Sequence, residues 1–117
     1  MIDILNLALA LFSIALGLIG WLAPRYTMKV LDLMAGPSAM GPSEVRAASG
    51  ALFVGLGVGA LWLGTPAAFA MVGFAWGGAA VGRLTSLALD GATPRKWGFF
   101  LCEAAVGALA LWANLGA

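Results

Sequence analysis

Histidine is absent from the 117-residue sequence, and cysteine occurs once, at Cys102. One thiol cannot form an internal disulfide, and without histidine the usual zinc, haem and Cys–His nucleophile sites lack their ligands. Only 9% of the residues are charged, with six lysines and arginines against five aspartates and glutamates. This balance provides no basic face for nucleic acid. We therefore expect no metal, no cofactor and no nucleic-acid partner.

Hydrophobic residues make up 62% of the sequence, which is too apolar for an ordinary soluble domain. A membrane-spanning helix needs about 20 apolar residues, so the chain has room for four spans with short connections. The sequence predicts an all-α integral membrane protein, a four-helix up-down bundle that forms one domain over residues 1–117. The predicted spans are residues 4–22, 44–63, 66–89 and 95–115.

Capping and turn residues set the predicted ends of these spans. Residues 4–22 carry no charge, and we interpret them as a span rather than a signal peptide because no Lys or Arg precedes them. Ser43 is predicted to cap the second long helix, whose first turn holds Glu44. Thr65 and Thr93 each precede a proline, a pattern that is typical of a helix start.

Residues 24–42 contain three prolines and are predicted to form a loop, either an ordinary connector or one that includes a short interfacial helix. All the cations lie at or toward the membrane side that holds this loop and the Asp90–Pro94 turn: Arg25, Lys29, Arg46, Arg83, Arg95 and Lys96. Positive charge is enriched on the cytoplasmic side of membrane proteins. The sequence therefore predicts a multi-pass protein of the bacterial inner membrane with both termini in the periplasm.

Glycines spaced four residues apart recur in the predicted spans. The pairs are Gly55/Gly59, Gly73/Gly77 and Gly78/Gly82. In lipid, such spacings let helix backbones approach each other closely. They are consistent with packing inside one chain and also with a homodimer or a larger membrane complex.

Arg83 and Glu103 are the charged residues that lie well inside predicted spans. At 1.5 Å per residue, Arg83 lies about 10 Å from the Asp90 turn and Glu103 about 13 Å from Pro94, so antiparallel neighbours would bring them level. A charge at the centre of a span costs about 2.5–3.5 kcal/mol on insertion scales. We therefore expect the two side chains to pair in a buried network.

Other polar residues are predicted to lie on the same cytoplasmic half and to complete that network. The candidate site consists of Glu44, Arg46, Ser49, Arg83, Ser86, Asp90 and Glu103. Such a cluster can be structural, fixing the register of the helices, or it can bind a small ligand or an ion. A cavity open to the cytoplasm and lined by four of them would favour binding, whereas solid packing around the pairs would favour the structural role. These four are Glu44, Arg46, Arg83 and Glu103.

Three sequence motifs fall in the last three predicted spans and in the turn between the final two. They are Glu44-Val45-Arg46 followed by Gly50, then Gly82-Arg83 followed by Ser86, Asp90-Gly91 and Pro94, and finally Glu103. This pattern resembles a bacterial family of small four-span membrane proteins described as domain of unknown function 4345. The resemblance implies a four-helix fold and the importance of these polar positions. No established activity comes with it.

Two functions fit these features. The first is a non-enzymatic bundle that binds a lipid or hydrophobic small molecule, or serves as an accessory subunit. The alternative is a proton-coupled small-molecule transporter acting as a homo-oligomer. Small multidrug exporters are similar in length, but their essential glutamate lies in the first span, which has no charge here.

An intramembrane enzyme is a third possibility, with Glu103 or Asp90 as its general base. The sequence offers no accompanying nucleophile or metal set, so we expect no enzymatic activity.

Overall fold

The computed structural model describes residues 3–116, and this part of the chain contains helices and no strand. The α-helices are α1 (Ile4–Leu22), α2 (Pro24–Val30), α3 (Met40–Arg46), α4 (Leu52–Leu63), α5 (Pro66–Leu89) and α6 (Pro94–Leu115). A π-helical turn, Ala47–Ala51, joins α3 to α4.

Four helical segments are long and apolar enough to cross a membrane. Three of them are α1, α5 and α6. The fourth is the continuous stretch Met40–Leu63, which consists of α3, the π-helical turn and α4. Large apolar side chains such as Val81 and Leu101 are exposed on their outer faces, as expected for helices surrounded by acyl chains. The predicted all-α class with four span-like helices is confirmed, whereas the alternating passage through a bilayer stays a prediction.

The two predicted cap-and-proline starts are confirmed. The Thr65 hydroxyl accepts a hydrogen bond from the Ala68 backbone N–H at 3.2 Å, and the Thr93 hydroxyl accepts one from Lys96 at the same distance. A proline occupies the first turn in both helices, where a missing N–H costs nothing. These starts are local, which explains why the sequence alone predicts them.

The predicted start of the second long helix at Ser43 is wrong. Helix α3 begins at Met40, with Ala39 as its N-cap, and the Ser38 hydroxyl accepts a hydrogen bond from the Met40 N–H at 3.3 Å. Pro42 lies inside the first turn, where no intrahelical partner is needed for its nitrogen. The proline therefore belongs to the first turn of this helix and not to the loop before it.

Part of the predicted 24–42 loop is the short helix α2. It ends in a Schellman motif, in which the Leu33 N–H donates to the Met28 carbonyl at 2.8 Å and the Asp32 N–H donates to the Lys29 carbonyl at 3.2 Å. Asp32 takes the left-handed conformation, with φ of 60°, that this motif requires. Aspartate is one of the few non-glycine residues that tolerate it well.

Helices α1 and α4 form one antiparallel pair, with the π-helical turn as part of the contact. A Cβ atom added at Gly17 would lie 2.7 Å from the Gly50 carbonyl oxygen, and one at Gly57 would lie 2.6 Å from the Ala10 carbonyl oxygen. Contact between backbones this close requires glycine. The glycines that make these contacts, Gly17, Gly50 and Gly57, are not among the predicted four-residue spacings.

Helices α5 and α6 form a second antiparallel pair. Gly73 faces Ala110 and Leu111, and a Cβ at Gly107 would lie 2.7 Å from the Gly77 nitrogen. By contrast, a Cβ would meet nothing within 4 Å in the described chain at five of the six glycines of the predicted pairs: Gly55, Gly59, Gly77, Gly78 and Gly82. Gly77 packs through its backbone, against Gly107. Of the three predicted glycine pairs, only Gly73/Gly77 packs inside the chain.

The two helix pairs join through a hydrophobic core near the start of α1 and the α4–α5 turn. Its buried residues are Leu9, Ala10, Ala60, Phe69, Val72, Trp76, Val106 and Ala110. We call this half of the molecule the core end, and we call the opposite half, which holds α2, α3 and the α5–α6 turn, the loop end. At the core end the amides of Asn6 and Asn114 exchange two hydrogen bonds of 2.8 Å and link α1 to α6.

Candidate functional site

Arg83 on α5 and Glu103 on α6 are in direct contact. The Arg83 Nε donates to Glu103 Oε1 at 3.1 Å, and Nη2 donates to Oε2 at 3.2 Å. The Cζ atom of Arg83 also lies 5.2 Å from the centre of the Phe99 ring, one turn before Glu103 on α6. Two parallel hydrogen bonds and a cation–π contact hold the guanidinium in one orientation.

The pair is less buried than predicted from the sequence. The side chain of Arg83 is 32% exposed and that of Glu103 is 13% exposed, and no charged residue among residues 3–116 is fully buried. The expectation of a buried charged network is therefore wrong. Part of the pair faces open space instead of packed protein.

The other predicted members of the network do not join this pair. Arg46 donates to the Trp21 carbonyl oxygen at 2.7 Å and lines a separate cleft together with Arg25. Glu44 and Asp90 are exposed. No hydrogen bond among the described residues links Arg83 or Glu103 to the remaining candidates: Glu44, Arg46, Ser49, Ser86 and Asp90. Helix α3 packs against α1 and α2, and this tertiary arrangement turns Arg46 toward the end of α1.

A cavity of about 340 Å³ lies at the loop end between the two helix pairs, with Arg83 and Glu103 in its wall. Its mostly apolar lining comes from α1 and α2 (Leu16, Gly17, Ile19, Tyr26, Thr27, Val30, and Leu31 just after α2), from the π-helical turn and α4 (Ser49, Phe53), and from α5 and α6 (Trp76, Ala79, Arg83, Phe99, Cys102, Glu103). The space around the ion pair is therefore not solidly packed.

Trp76 forms the boundary between this cavity and the hydrophobic core. Its indole N–H donates to the Ser13 hydroxyl at 3.3 Å, and that hydroxyl donates to the Phe53 carbonyl oxygen at 3.0 Å. The rings of Phe12 and Phe53 lie 5.7 and 5.1 Å from the Trp76 ring. These contacts fix the indole, so the cavity has a firm inner wall.

Helix α2 covers part of the cavity on the side that faces the loop end. Tyr26, Thr27 and Val30 line the cavity, while Met28 on another face of α2 is buried. A Cβ at Gly41 would lie 3.2 Å from the Met28 Cε atom, so this methionine anchors α2 against α3. The short helix thus forms part of the cavity wall.

Sequence reasoning missed most of the cavity residues. Trp76 could have been found, because it is the one tryptophan in the middle of a span and needs a partner for its N–H. Ser13, which binds the Trp76 indole, and Asn6 lie outside the cavity lining, but both could also have been found because they are polar residues in a charge-free span. Tyr26 and Phe99 carry no sequence signal of this kind. No group of three side chains that could hold a metal ion occurs among residues 3–116.

Four long apolar helices with outward apolar faces define a protein of the multi-pass membrane class. The family model described as Domain of unknown function (DUF4345) matches residues 1–114, and the chain belongs to that family. The match includes α1, which carries none of the motifs on which the sequence resemblance depends. No curated protein and no solved structure matches the chain.

Proposed function

We propose that this protein binds a lipid or another hydrophobic small molecule in the cavity at its loop end, without catalysing a reaction. The observation that carries the proposal is an apolar cavity with one polar pair, Arg83 and Glu103, in its wall. Ligand sites are commonly apolar pockets of about 300–1,000 Å³ with a few polar groups that orient the ligand. A volume of about 340 Å³ suits one acyl-chain segment or one ring system.

The geometry supports binding better than a purely structural role for the ion pair. A pair that only fixed the register of α5 and α6 would need no empty space beside it. Here the cavity also receives residues from α1, α2 and α4, which do not contribute to the pair. The partial exposure of Arg83 leaves its guanidinium accessible to a bound molecule.

Transport coupled to protons is the alternative, and the geometry supports it less well. Both oxygens of Glu103 accept hydrogen bonds from Arg83, so the carboxylate already has a fixed partner within the chain. A role as an accessory subunit of a larger membrane complex is compatible with ligand binding. The exposed glycines of α4 and α5 would suit a neighbouring helix in such a complex.

We also propose a location in the bacterial inner membrane with both termini in the periplasm. The support is the distribution of cations: Arg25, Lys29, Arg46, Arg95 and Lys96 all lie at the loop end. In this orientation the cavity is in the cytoplasmic half of the membrane.

The experiment is native mass spectrometry of the protein purified from its membranes in a mild detergent. The wild-type protein is expected to carry a bound hydrophobic molecule. An Ala79→Phe variant, which places a ring in the cavity, is expected to lose most of it. Ala88→Phe is the matched control, because Ala88 is an exposed residue of the same helix outside the cavity lining. Equal retention by both variants, or a wild-type protein without any bound molecule, would contradict the proposal.

A further inference from the structure

We infer that the ligand of this cavity is an amphiphile with a neutral head that both donates and accepts hydrogen bonds, as a long-chain alcohol does. The inference rests on the proposed function and specifies the chemical class of the ligand. It depends on the charge and the free hydrogen-bonding positions of the Arg83–Glu103 pair, on the apolar lining beyond that pair, and on the depth of the cavity.

The charges of the cavity wall cancel. Arg83 and Glu103 are the charged residues among those that line the cavity, and their side chains are joined by two hydrogen bonds. A carboxylate or phosphate approaching Arg83 would be repelled by the negative charge of Glu103, which is hydrogen-bonded to the same guanidinium. An ammonium group approaching Glu103 would meet the guanidinium. A charged head would therefore lose its hydration without a net opposite charge to compensate it.

The pair nevertheless has unused hydrogen-bonding positions. Glu103 receives the Nε and Nη2 donors of Arg83, and the described residues provide no acceptor for Nη1. Each carboxylate oxygen of Glu103 can accept a further hydrogen bond, because a carboxylate has about four acceptor positions. A hydroxyl group can donate to Glu103, and it can equally accept from Arg83 Nη1, which points away from Glu103.

The rest of the cavity suits an apolar chain of moderate length. Trp76 and Arg83 both line the cavity and lie seven residues apart on α5, which corresponds to about 10 Å along the helix. The residues between and opposite them include Ala79, Phe53 and Leu16. A head at the ion pair would therefore place its chain toward Trp76, against apolar side chains.

The native Cys102 thiol provides a probe for this site. Cys102 is the single cysteine of the sequence, is exposed, and lines the cavity. We would reconstitute the wild-type protein in nanodiscs of phosphatidylcholine and measure the rate at which a maleimide alkylates Cys102. Decanol, decanoate and decylamine would be added at concentrations corrected for their partition into the nanodisc. Decanol is expected to halve the rate at a concentration about tenfold lower than the other two need, a difference of about 1.4 kcal/mol.

Two variants change the charge of the wall and should change the preferred head. Glu103→Gln leaves Arg83 without its counter-charge, so decanoate should become the most protective probe. Arg83→Gln leaves the carboxylate, so decylamine should become the most protective. Lys29→Gln is the control, because Lys29 is a cation of α2 outside the cavity lining, and the order of the three probes should not change.

A second control removes effects of the probes on the bilayer itself. In a Cys102→Ala, Ala105→Cys variant the thiol lies on the same helix outside the cavity lining, and the probes should not slow its alkylation. If decanoate or decylamine protects wild-type Cys102 best, the inference is wrong while ligand binding in the cavity stands. If none of the three slows alkylation, both the proposed function and the inference are wrong.

Discussion

Replacement of Gly50 by alanine tests the close contact between α1 and the π-helical turn. A Cβ atom at this position would lie 2.7 Å from the Trp21 Cα atom and 2.8 Å from the Gly20 carbonyl carbon. Carbon atoms in contact are normally about 3.5–4.0 Å apart. Because both neighbours are backbone atoms, no side chain can rotate away, and the two segments must separate by about 1 Å.

The expected cost follows from this displacement. Overpacking of a well-packed contact costs about 1–3 kcal/mol, and the better helix propensity of alanine returns at most about 1 kcal/mol. We therefore expect Gly50→Ala to lower the free energy of unfolding by about 1–2 kcal/mol. The assay is reversible unfolding in mixed micelles of mild detergent and dodecyl sulfate, followed by circular dichroism.

Gly78→Ala is the matched control. Gly78 lies in α5, and a Cβ there would meet nothing within 4 Å. The control is expected to leave the free energy of unfolding unchanged or to raise it slightly. If Gly50→Ala and Gly78→Ala unfold at the same denaturant concentration, α1 and the π-helical turn are not in backbone contact at Gly50.

Three further predictions address the site and the topology. Arg83→Gln or Glu103→Gln should lower the free energy of unfolding by about 1–3 kcal/mol in the same assay, a value between those for exposed and for buried ion pairs. A double variant in which Arg and Glu exchange positions should recover part of the lost stability. Asn6→Ala should cost about 1 kcal/mol, because it removes the two hydrogen bonds to Asn114. A reporter fused to the carboxyl terminus should be active only if it is a periplasmic reporter, and cytoplasmic activity would contradict the proposed orientation.

The helices that the sequence predicts best are those with local signals. Thr65 and Thr93 cap α5 and α6 as expected, since a hydroxyl and a following proline act within one turn of chain. For α2 the sequence does not decide between a connector and a helix, because seven residues have too little intrinsic stability to form a helix on their own. In the structure it is held by the Asp32 turn and by the contact of Met28 with α3.

The candidate site was predictable only in part, for a related reason. Depth along a helix can be counted from the sequence, so Arg83 and Glu103 could be expected to meet. The position of Arg46 depends on how α3 packs against α1, which is a tertiary property, so its predicted position beside the pair is wrong. The cavity is a space between two helix pairs that meet at the opposite end, and no local pattern encodes it.

Photo-labelling would test ligand binding in the cavity most directly. A long-chain alcohol with a diazirine in its alkyl chain would be incorporated into nanodiscs with the protein, illuminated, and the labelled residues mapped by peptide mass spectrometry. The account predicts labels on cavity residues such as Leu16, Trp76 and Phe99, and loss of these labels in the Ala79→Phe variant. Labels spread evenly over outward residues such as Val81 and Leu101, unchanged in that variant, would contradict it.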